Sequence, residues 1–140
     1  MTGYDSLKVF HTGILHQDDT SPLVSLLSDF LSGVHSCKIA FDGALGAGKT
    51  RVIQDLLTSL GVSDEIVSPS YTLCNEYEAG GKHFEHWDIY RLSEVPEELL
   101  ETDNSIQLIE WGLKFSEINP HLIVKIILDH EIRRFEVLQR

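Results

Sequence analysis

A glycine-rich segment followed by lysine and threonine carries the strongest chemical signal in the chain. Residues 43–50 fit the pattern G-x-x-x-x-G-K-[ST] at every position. Its glycines allow the backbone to curl closely around phosphate oxygens, and successive N–H groups then point inward as a nest for anions. In this motif Lys49 reaches the β- and γ-phosphates of a nucleotide, and the Thr50 hydroxyl holds Mg²⁺. The segment therefore predicts a site for nucleotide phosphates.

The flanking residues predict the strand and the helix that such a loop requires. Residues 37–41 are largely apolar and indicate a short buried strand. From Lys49 to Leu60 apolar residues recur at helical spacing, and Gly61 indicates the end of the helix. The positive end of the helix dipole would then face the phosphates. A glycine-rich turn beside a surface lysine is the alternative, but it does not account for the strand, the helix and the Lys–Thr spacing together.

Two carboxylates end strand-like segments and could serve the nucleotide. Glu110 follows the apolar residues 106–109, which is the pattern of the second metal-side acid in phosphate-loop ATPases. We expect it to hold Mg²⁺ directly or through water, and a surface carboxylate at a strand end is the alternative. Asp88 either orients water or ligates a metal-bound water, or it caps a turn, and the residues alone leave the functional and the structural role open. The hydroxyl-rich residues 68–72 are either a switch-like loop that responds to a γ-phosphate or an ordinary entry into a strand.

The histidines and tryptophans nearest to these acids are weaker candidates for a ligand site. His83 and His86 are the closest histidine pair, and a spacing of three on a strand puts them on opposite faces. A metal shared by the two is therefore not expected. Trp87 and Trp111 are interpreted as core or interface anchors rather than as nucleotide-stacking residues.

Size and charge limit the class of protein. The 140 residues suit one domain, and a hydrophobic content of 42% is ordinary for a globular core. The formal net charge of −11 argues against direct binding of nucleic acid, which requires clustered Lys and Arg. No apolar run approaches the ~20 residues of a membrane helix, and the first residues lack the features of a signal peptide. A cytoplasmic location without membrane contact is therefore expected.

The remaining pattern predicts one α/β domain over residues 1–140. Ser21 and Pro22 indicate the start of a helix that ends near Gly33. Further elements are expected at 71–77 and 82–88 (a hairpin), 96–100 (a short helix with Ser93 as N-cap), 121–128 and 132–138 (two strands). The fold predicted is P-loop NTPase-like, with a mostly parallel central sheet, antiparallel hairpin additions and helices on both faces. Ligands of such sheets bind at the carboxyl ends of the strands.

Four sequence blocks, taken together and in order, resemble a known family. They are LGAGKT at 45–50, SPSYTL at 68–73, HWDIYRL at 86–92 and IEW at 109–111. This combination resembles the TsaE family, small bacterial ATPases of tRNA threonylcarbamoyladenosine biosynthesis. The resemblance spans nearly the whole chain.

The resemblance implies a function and partners. It implies that the chain binds ATP and Mg²⁺ and hydrolyses ATP slowly until partner proteins stimulate it. The implied partners are a TsaD-like transferase subunit and its TsaB-like relative. Together they would modify adenosine 37 in tRNAs that read codons beginning with adenine. Because the net charge of −11 disfavours direct tRNA binding, we expect the chain to meet tRNA only within that complex.

The resemblance also assigns residues to roles by position. Thr50 and Glu110 match the Mg²⁺ ligands of the family, and Asp88 matches an acid implicated in activity. Lys49, Asp88 and Glu110 form the implied catalytic set. Arg133 and Arg134 are the two candidates for a basic residue near the nucleotide. The implied nucleotide contacts are Gln17, Thr20, Leu45, Gly46, Ala47, Gly48, Lys49, Thr50 and Arg133.

Two other functions use the same loop. A small-molecule kinase would need a lid with several arginines, but the chain shows no basic insertion long enough to form one. A nucleotide-gated binding module would bind ATP with negligible turnover. Transfer of the γ-phosphate to a nucleoside would identify the kinase. ATP turnover measured with and without partner proteins would separate the accessory ATPase from the binding module.

Overall fold

One seven-stranded sheet runs through the residues that the computed structural model describes, which are 8–16, 18–69, 72–101 and 103–140. The strands are β1 (Lys8–Leu15), β2 (Cys37–Asp42), β3 (Cys74–Ala79), β4 (Lys82–Asp88), β5 (Ile106–Glu110), β6 (Leu122–Asp129) and β7 (Ile132–Gln139). They lie in the order β1-β7-β6-β2-β5-β4-β3. The helices are α1 (Ser21–Leu31), α2 (Lys49–Ser59), α3 (Glu97–Glu101) and a 3₁₀ helix (Ser116–Ile118).

The four strands in the middle of the sheet are parallel. β2 pairs with β5 on one side and with β6 on the other, and β5 pairs with β4. Antiparallel pairs extend the sheet at both edges, through β3 on one side and through β7 and β1 on the other. The predicted α/β fold, with a parallel centre and antiparallel additions, is confirmed.

The helices cover the two faces of the sheet unequally. α1 and α2 pack on one face, because their apolar residues recur at helical spacing and share the main core with β2, β5 and β6. Opposite them, the short α3 and the 3₁₀ helix cover Trp87 and Ile109. Side chains alternate along a strand, so Ile106 and Leu108 of β5 face α2 while Ile109 faces the thinner layer.

Several elements differ from the sequence prediction, among them the 3₁₀ helix, which was not predicted, and β3, which begins at Cys74 rather than at residue 71. β1 was not predicted, because this edge strand is largely exposed, carries a bulge between Val9 and His11, and buries only Leu15 fully. It therefore lacks the alternating pattern by which a half-buried strand is recognised. α3 begins at Glu97, so Ser93 is not its N-cap. In the part of the chain that the structure describes, no helix is long and apolar enough to cross a membrane.

Gly112 allows the segment after β5 to cross closely over β2. A Cβ at this position would lie 2.6 Å from Ala40 Cβ and 2.9 Å from Ala40 Cα. We expect Gly112→Ala to lower the free energy of unfolding by about 1–3 kcal/mol, because overpacking forces the backbone apart. Urea denaturation measures this change.

A second substitution tests the cause of that loss. Ala40→Gly removes the nearest clashing atom, so the double variant should be more stable than the sum of the two single losses predicts. A Gly112→Ala protein as stable as the wild type would contradict the close approach.

Candidate functional site

The candidate site is built where three parallel strands end together. Phe41 of β2 pairs with Glu110 of β5, and Glu110 pairs with Asp88 of β4. The glycine-rich loop, defined here as residues 43–48, leaves the end of β2 directly beside these two acids. Because all three strands run in the same direction, their carboxyl ends form one edge, where α/β sheets bind ligands.

Two glycines shape the loop that leads from β2 into α2. Gly48 has a φ of 109°, a left-handed conformation that other residues adopt only with strain, and α2 starts at the next residue. A Cβ on Gly43 would lie 2.7 Å from the carbonyl oxygen of Ile126, so the loop passes close to β6. The loop therefore turns tightly enough to aim the N-terminus of α2 at the strand ends.

A cavity of about 430 Å³ opens at this edge. Loop residues, the first two turns of α2 and the strand ends line it: Leu45, Gly46, Gly48, Lys49, Thr50, Arg51, Gln54, Asp88, Glu110 and Trp111. A smaller cavity of about 230 Å³ shares Leu45, Asp88 and Trp111 with it. The structure thus brings the predicted Lys49, Thr50, Asp88 and Glu110 to one surface, next to the positive end of the α2 dipole.

Lys49 is held in the wall of the cavity. Its Nζ donates to the carbonyl oxygens of Gly43 (2.5 Å) and Ala44 (3.1 Å) and lies 4.2 Å from the centroid of the Trp111 ring. Burial lowers the pKa of Lys49, and the nearby carboxylates, Glu110 first, act in the opposite direction. An incoming anion would therefore compete with loop carbonyls for this ammonium group.

Each carboxylate oxygen of Glu110 has a side-chain partner. The Thr50 hydroxyl donates to Oε1 at 2.7 Å, and His86 Nε2 lies 2.6 Å from Oε2. Glu110 is 3% exposed. Hydroxyl and carboxylate oxygens are the hard ligands that Mg²⁺ prefers. The Thr50–Glu110 oxygen pair at the cavity wall therefore fits a magnesium ion.

Asp88 makes the contact of a turn residue, and its role toward water stays a prediction. Its Oδ1 accepts a hydrogen bond from the backbone N–H of Tyr90 at 3.1 Å, as a turn aspartate does. The same residue lines both cavities, so it also faces the space where a ligand would lie.

The other predicted nucleotide residues have different environments. Ala47 is 1% exposed and packs into the main core, so only its backbone could contact a ligand, whereas Leu45 is 67% exposed. Thr20 is buried, and its hydroxyl donates to Asp55 of α2 at 2.6 Å. Gln17 lies outside the described residues. Their contact with a nucleotide stays a prediction.

Of the two arginine candidates, Arg133 lies beside the loop. Its Nη1 would be 2.5 Å from a Cβ on Gly48. Arg134 instead forms an ion pair with Asp129, 3.3 Å away. β7 places successive side chains on opposite faces of the sheet, which separates the two.

Trp111, which the sequence suggested as an anchor, and His86, to which the sequence assigned no role, both belong to this region. Trp111 packs against the second core, as an anchor would, but its ring also forms part of the cavity wall, 4.7 Å from the Tyr90 ring centroid. Its position directly after Glu110 was the available signal. Trp87 is buried in that second core as predicted. His83 and His86 do lie on opposite faces, with Glu76 and Glu110 as their respective partners.

The switch-like interpretation of residues 68–72 stays a prediction. Ser70 and Tyr71 lie outside the described residues. Beside them, the Thr72 hydroxyl donates to Asn75 Oδ1 at 2.7 Å, and the Leu73 carbonyl accepts from the N–H of Asp88. This segment is therefore tied to the strand that carries Asp88.

Replacing Lys49 should reveal the cost of burying its charge. Because burial lowers its pKa, the folded state disfavours the charged form, so Lys49→Met should raise the free energy of unfolding at neutral pH by about 0.5–2 kcal/mol. The wild type gains stability as pH rises from the lowered pKa toward 10.5, since its folded state releases this proton first. The advantage of the variant should therefore shrink as pH approaches 10.5.

Urea denaturation at neutral and alkaline pH measures both effects. The matched control is Lys8→Met at an exposed position, which should change stability by less than about 0.5 kcal/mol at either pH. The argument would be contradicted if Lys49→Met were less stable than the wild type at neutral pH. It would also be contradicted if the stability advantage of the variant grew as pH rises.

Comparison with known proteins identifies the family. A family model described as "Threonylcarbamoyl adenosine biosynthesis protein TsaE" matches residues 15–136. Proteins named "tRNA threonylcarbamoyladenosine biosynthesis protein TsaE" match in several bacteria. The Haemophilus influenzae protein is 37% identical over 110 residues, 71% of this chain and 68% of the relative. The Nostoc sp. protein is 37% identical over 139 residues, 93% of this chain and 82% of the relative.

Coverage is lower for another relative, and a solved structure supports the fold. The Synechocystis sp. protein is 36% identical over 89 residues, which span 57% of each chain. The crystal structure of Bacillus subtilis YdiB superposes with a TM-score of 0.69 at 18% identity, covering 95% of this chain and 86% of the other. The family model covers well over half of the chain. This chain belongs to the TsaE family.

Proposed function

We propose that this chain binds ATP with Mg²⁺ and hydrolyses it as an accessory protein in the threonylcarbamoylation of adenosine 37 of tRNA. One observation carries the ATP site: Lys49 and the Thr50–Glu110 oxygen pair line the same cavity at the N-terminus of α2. Membership of a family named for threonylcarbamoyl adenosine biosynthesis supports the tRNA-modification context.

The cavity wall offers positive charge to a triphosphate. The N-terminus of α2 presents its dipole, Lys49 lines the cavity, and the guanidinium group of Arg133 lies beside Gly48 of the loop. Transfer of a γ-phosphoryl group to water depends mainly on positioning and on charge stabilisation, with little proton abstraction. A site made of oriented N–H groups and two cations is suited to that reaction.

Thr50 and Glu110 would hold Mg²⁺ through their oxygens, as their shared position in the wall suggests. Mg²⁺, when bound, neutralises charge on the β- and γ-phosphates. Asp88 faces the same cavity and has a second carboxylate oxygen besides the one that accepts from Tyr90. It could accept a hydrogen bond from the attacking water and so orient it.

Partner proteins complete the proposal. Leu45, which is 67% exposed, lines both cavities, and Tyr90, which is 44% exposed, lines the smaller one. Exposed apolar residues at the edge of a catalytic cavity favour a docked protein. TsaD-like and TsaB-like subunits are the proposed partners, and their docking would raise a slow basal rate of hydrolysis. tRNA would be reached only through that complex.

Turnover tests the proposal directly. Purified wild type with Mg²⁺ should release phosphate from ATP, faster with the partner subunits present. Lys49→Met should lower turnover by about 100-fold or more, because a preorganised charge on the transferred group is lost. Lys8→Met, at a position that does not line the cavity, should match the wild type. Unchanged turnover in Lys49→Met would overturn the assignment, and γ-phosphate found on a nucleoside would indicate a kinase instead.

The charge of the chain generates a prediction about tRNA. With a net charge of −11, the pure protein has few cations with which to displace counterions from RNA. We expect no saturable tRNA binding by the chain alone at physiological salt, and recruitment of the chain to tRNA when the partner subunits are added. Filter binding over a salt series measures both. Tight, salt-sensitive binding by the pure chain would refute indirect recruitment.

A further inference from the structure

His86 is a buried histidine with a partner for one ring nitrogen and none for the other among the described residues. Its side chain is fully buried, Nε2 lies 2.6 Å from Glu110 Oε2, and Nδ1 has no hydrogen-bond partner among the described residues. A buried polar atom without a partner destabilises a fold, and an apolar side chain of similar size would avoid that cost. Packing alone therefore does not account for a histidine here.

The contact with Glu110 fixes the tautomer of His86. A carboxylate accepts hydrogen bonds, so a neutral imidazole must carry its hydrogen on Nε2 to make the 2.6 Å contact. A hydrogen on Nδ1 would be a buried donor without a partner, while Nε2 and Oε2 would face each other as two acceptors. The structure favours the Nε2–H form on both grounds.

The position of His86 in the sheet explains what this contact achieves. His86 and Asp88 are two residues apart on β4, and Asp88 pairs with Glu110 on β5. His86 thus lies two residues before the strand end and does not line the cavity. It contacts Oε2 of Glu110, while Oε1 contacts the Thr50 hydroxyl. Hydrogen bonds from such outer partners orient metal-binding carboxylates and raise their affinity.

We propose that His86 is a positioning residue that orients Glu110 through an Nε2–H···Oε2 hydrogen bond, so that Oε1 and the Thr50 hydroxyl bind one divalent cation together. The inference rests on the proposed function, since the cation is the Mg²⁺ that accompanies the nucleotide. His86 itself touches neither cation nor phosphate.

Two amide substitutions separate positioning from packing. The glutamine amide group reaches about as far from the backbone as Nε2, whereas the asparagine amide group reaches only as far as Nδ1. His86→Gln can therefore still donate to Glu110, and His86→Asn cannot. We expect His86→Asn to weaken Mg²⁺ binding by about 10-fold or more and His86→Gln to remain within about 3-fold of the wild type. If His86 had only a structural role, Mg²⁺ binding would not be weaker in His86→Asn than in His86→Gln.

The readout is binding rather than turnover. A fluorescent ATP analogue is titrated with Mg²⁺ and again in the presence of a chelator, and Mn²⁺ binding is followed by electron paramagnetic resonance. Only the divalent-cation titrations should change in His86→Asn, while nucleotide affinity in chelator stays within about 2-fold, since His86 does not line the cavity. The same two substitutions at His83, on the other face of β4, should leave all of these values unchanged.

Each outcome decides a separate point. If the affinity of the wild type for the ATP analogue did not depend on Mg²⁺, both the proposed function and the role of His86 would be overturned. A wild type that responds to Mg²⁺, with Gln and Asn variants equal to each other, would overturn only the positioning role. Should either variant unfold, the ¹⁵N resonances of His86 in the wild type still decide, because an Nδ1–H tautomer would overturn the inference.

Discussion

The in-register pairing of β2, β5 and β4 is the constraint on which the site depends. Hydrogen bonds across these strands align Phe41, Glu110 and Asp88 in one row, and the glycine-rich loop leaves β2 immediately above that row. A shift of β5 by one residue would turn Glu110 to the opposite face, away from Thr50 on α2. The register thus selects which carboxylate meets the helix, and the burial of Ile106 and Leu108 under α1 and α2 fixes the register.

Charge in the site is balanced locally, although the chain as a whole is strongly acidic. Lys49 is held by loop carbonyls and the Trp111 ring, and Glu110 by Thr50 and His86. Acids on distant surfaces are screened over about 10 Å at ordinary ionic strength, so they hardly oppose the binding of an anionic triphosphate. The acidic surface bears on tRNA instead, because RNA contacts a much larger area than one cavity.

The superposition on YdiB, a TM-score of 0.69 at 18% identity, shows how little of the sequence the fold requires. What such chains must share is a pattern of buried strand residues and apolar helix faces, and many residues satisfy each position. Positions in the candidate site tolerate fewer residue types than positions in the core. Gly48, Lys49, Thr50 and Glu110 each contribute a backbone angle, a charge or an oxygen that few other residues could replace.

Much of the fold and most of the cavity lining could be predicted from local sequence. The glycine-rich loop, the start of α2 at Lys49, the hairpin and the strand before Glu110 each have a signal within a few neighbouring residues, because turn geometry and hydrophobic period are local properties. Seven residues predicted for the site line one cavity: Leu45, Gly46, Gly48, Lys49, Thr50, Asp88 and Glu110. An exposed edge strand such as β1 gives no comparable pattern.

Contacts between distant segments were decided by the tertiary structure alone. Nothing in the order of residues says that His86 lies against Glu110, 24 positions later, or that Trp111 covers Lys49. Nor does it say that Arg133, rather than its neighbour Arg134, reaches Gly48. These pairings follow from strand order, register and the alternation of side chains across the sheet, which are settled only when remote strands pair and bury their apolar faces together.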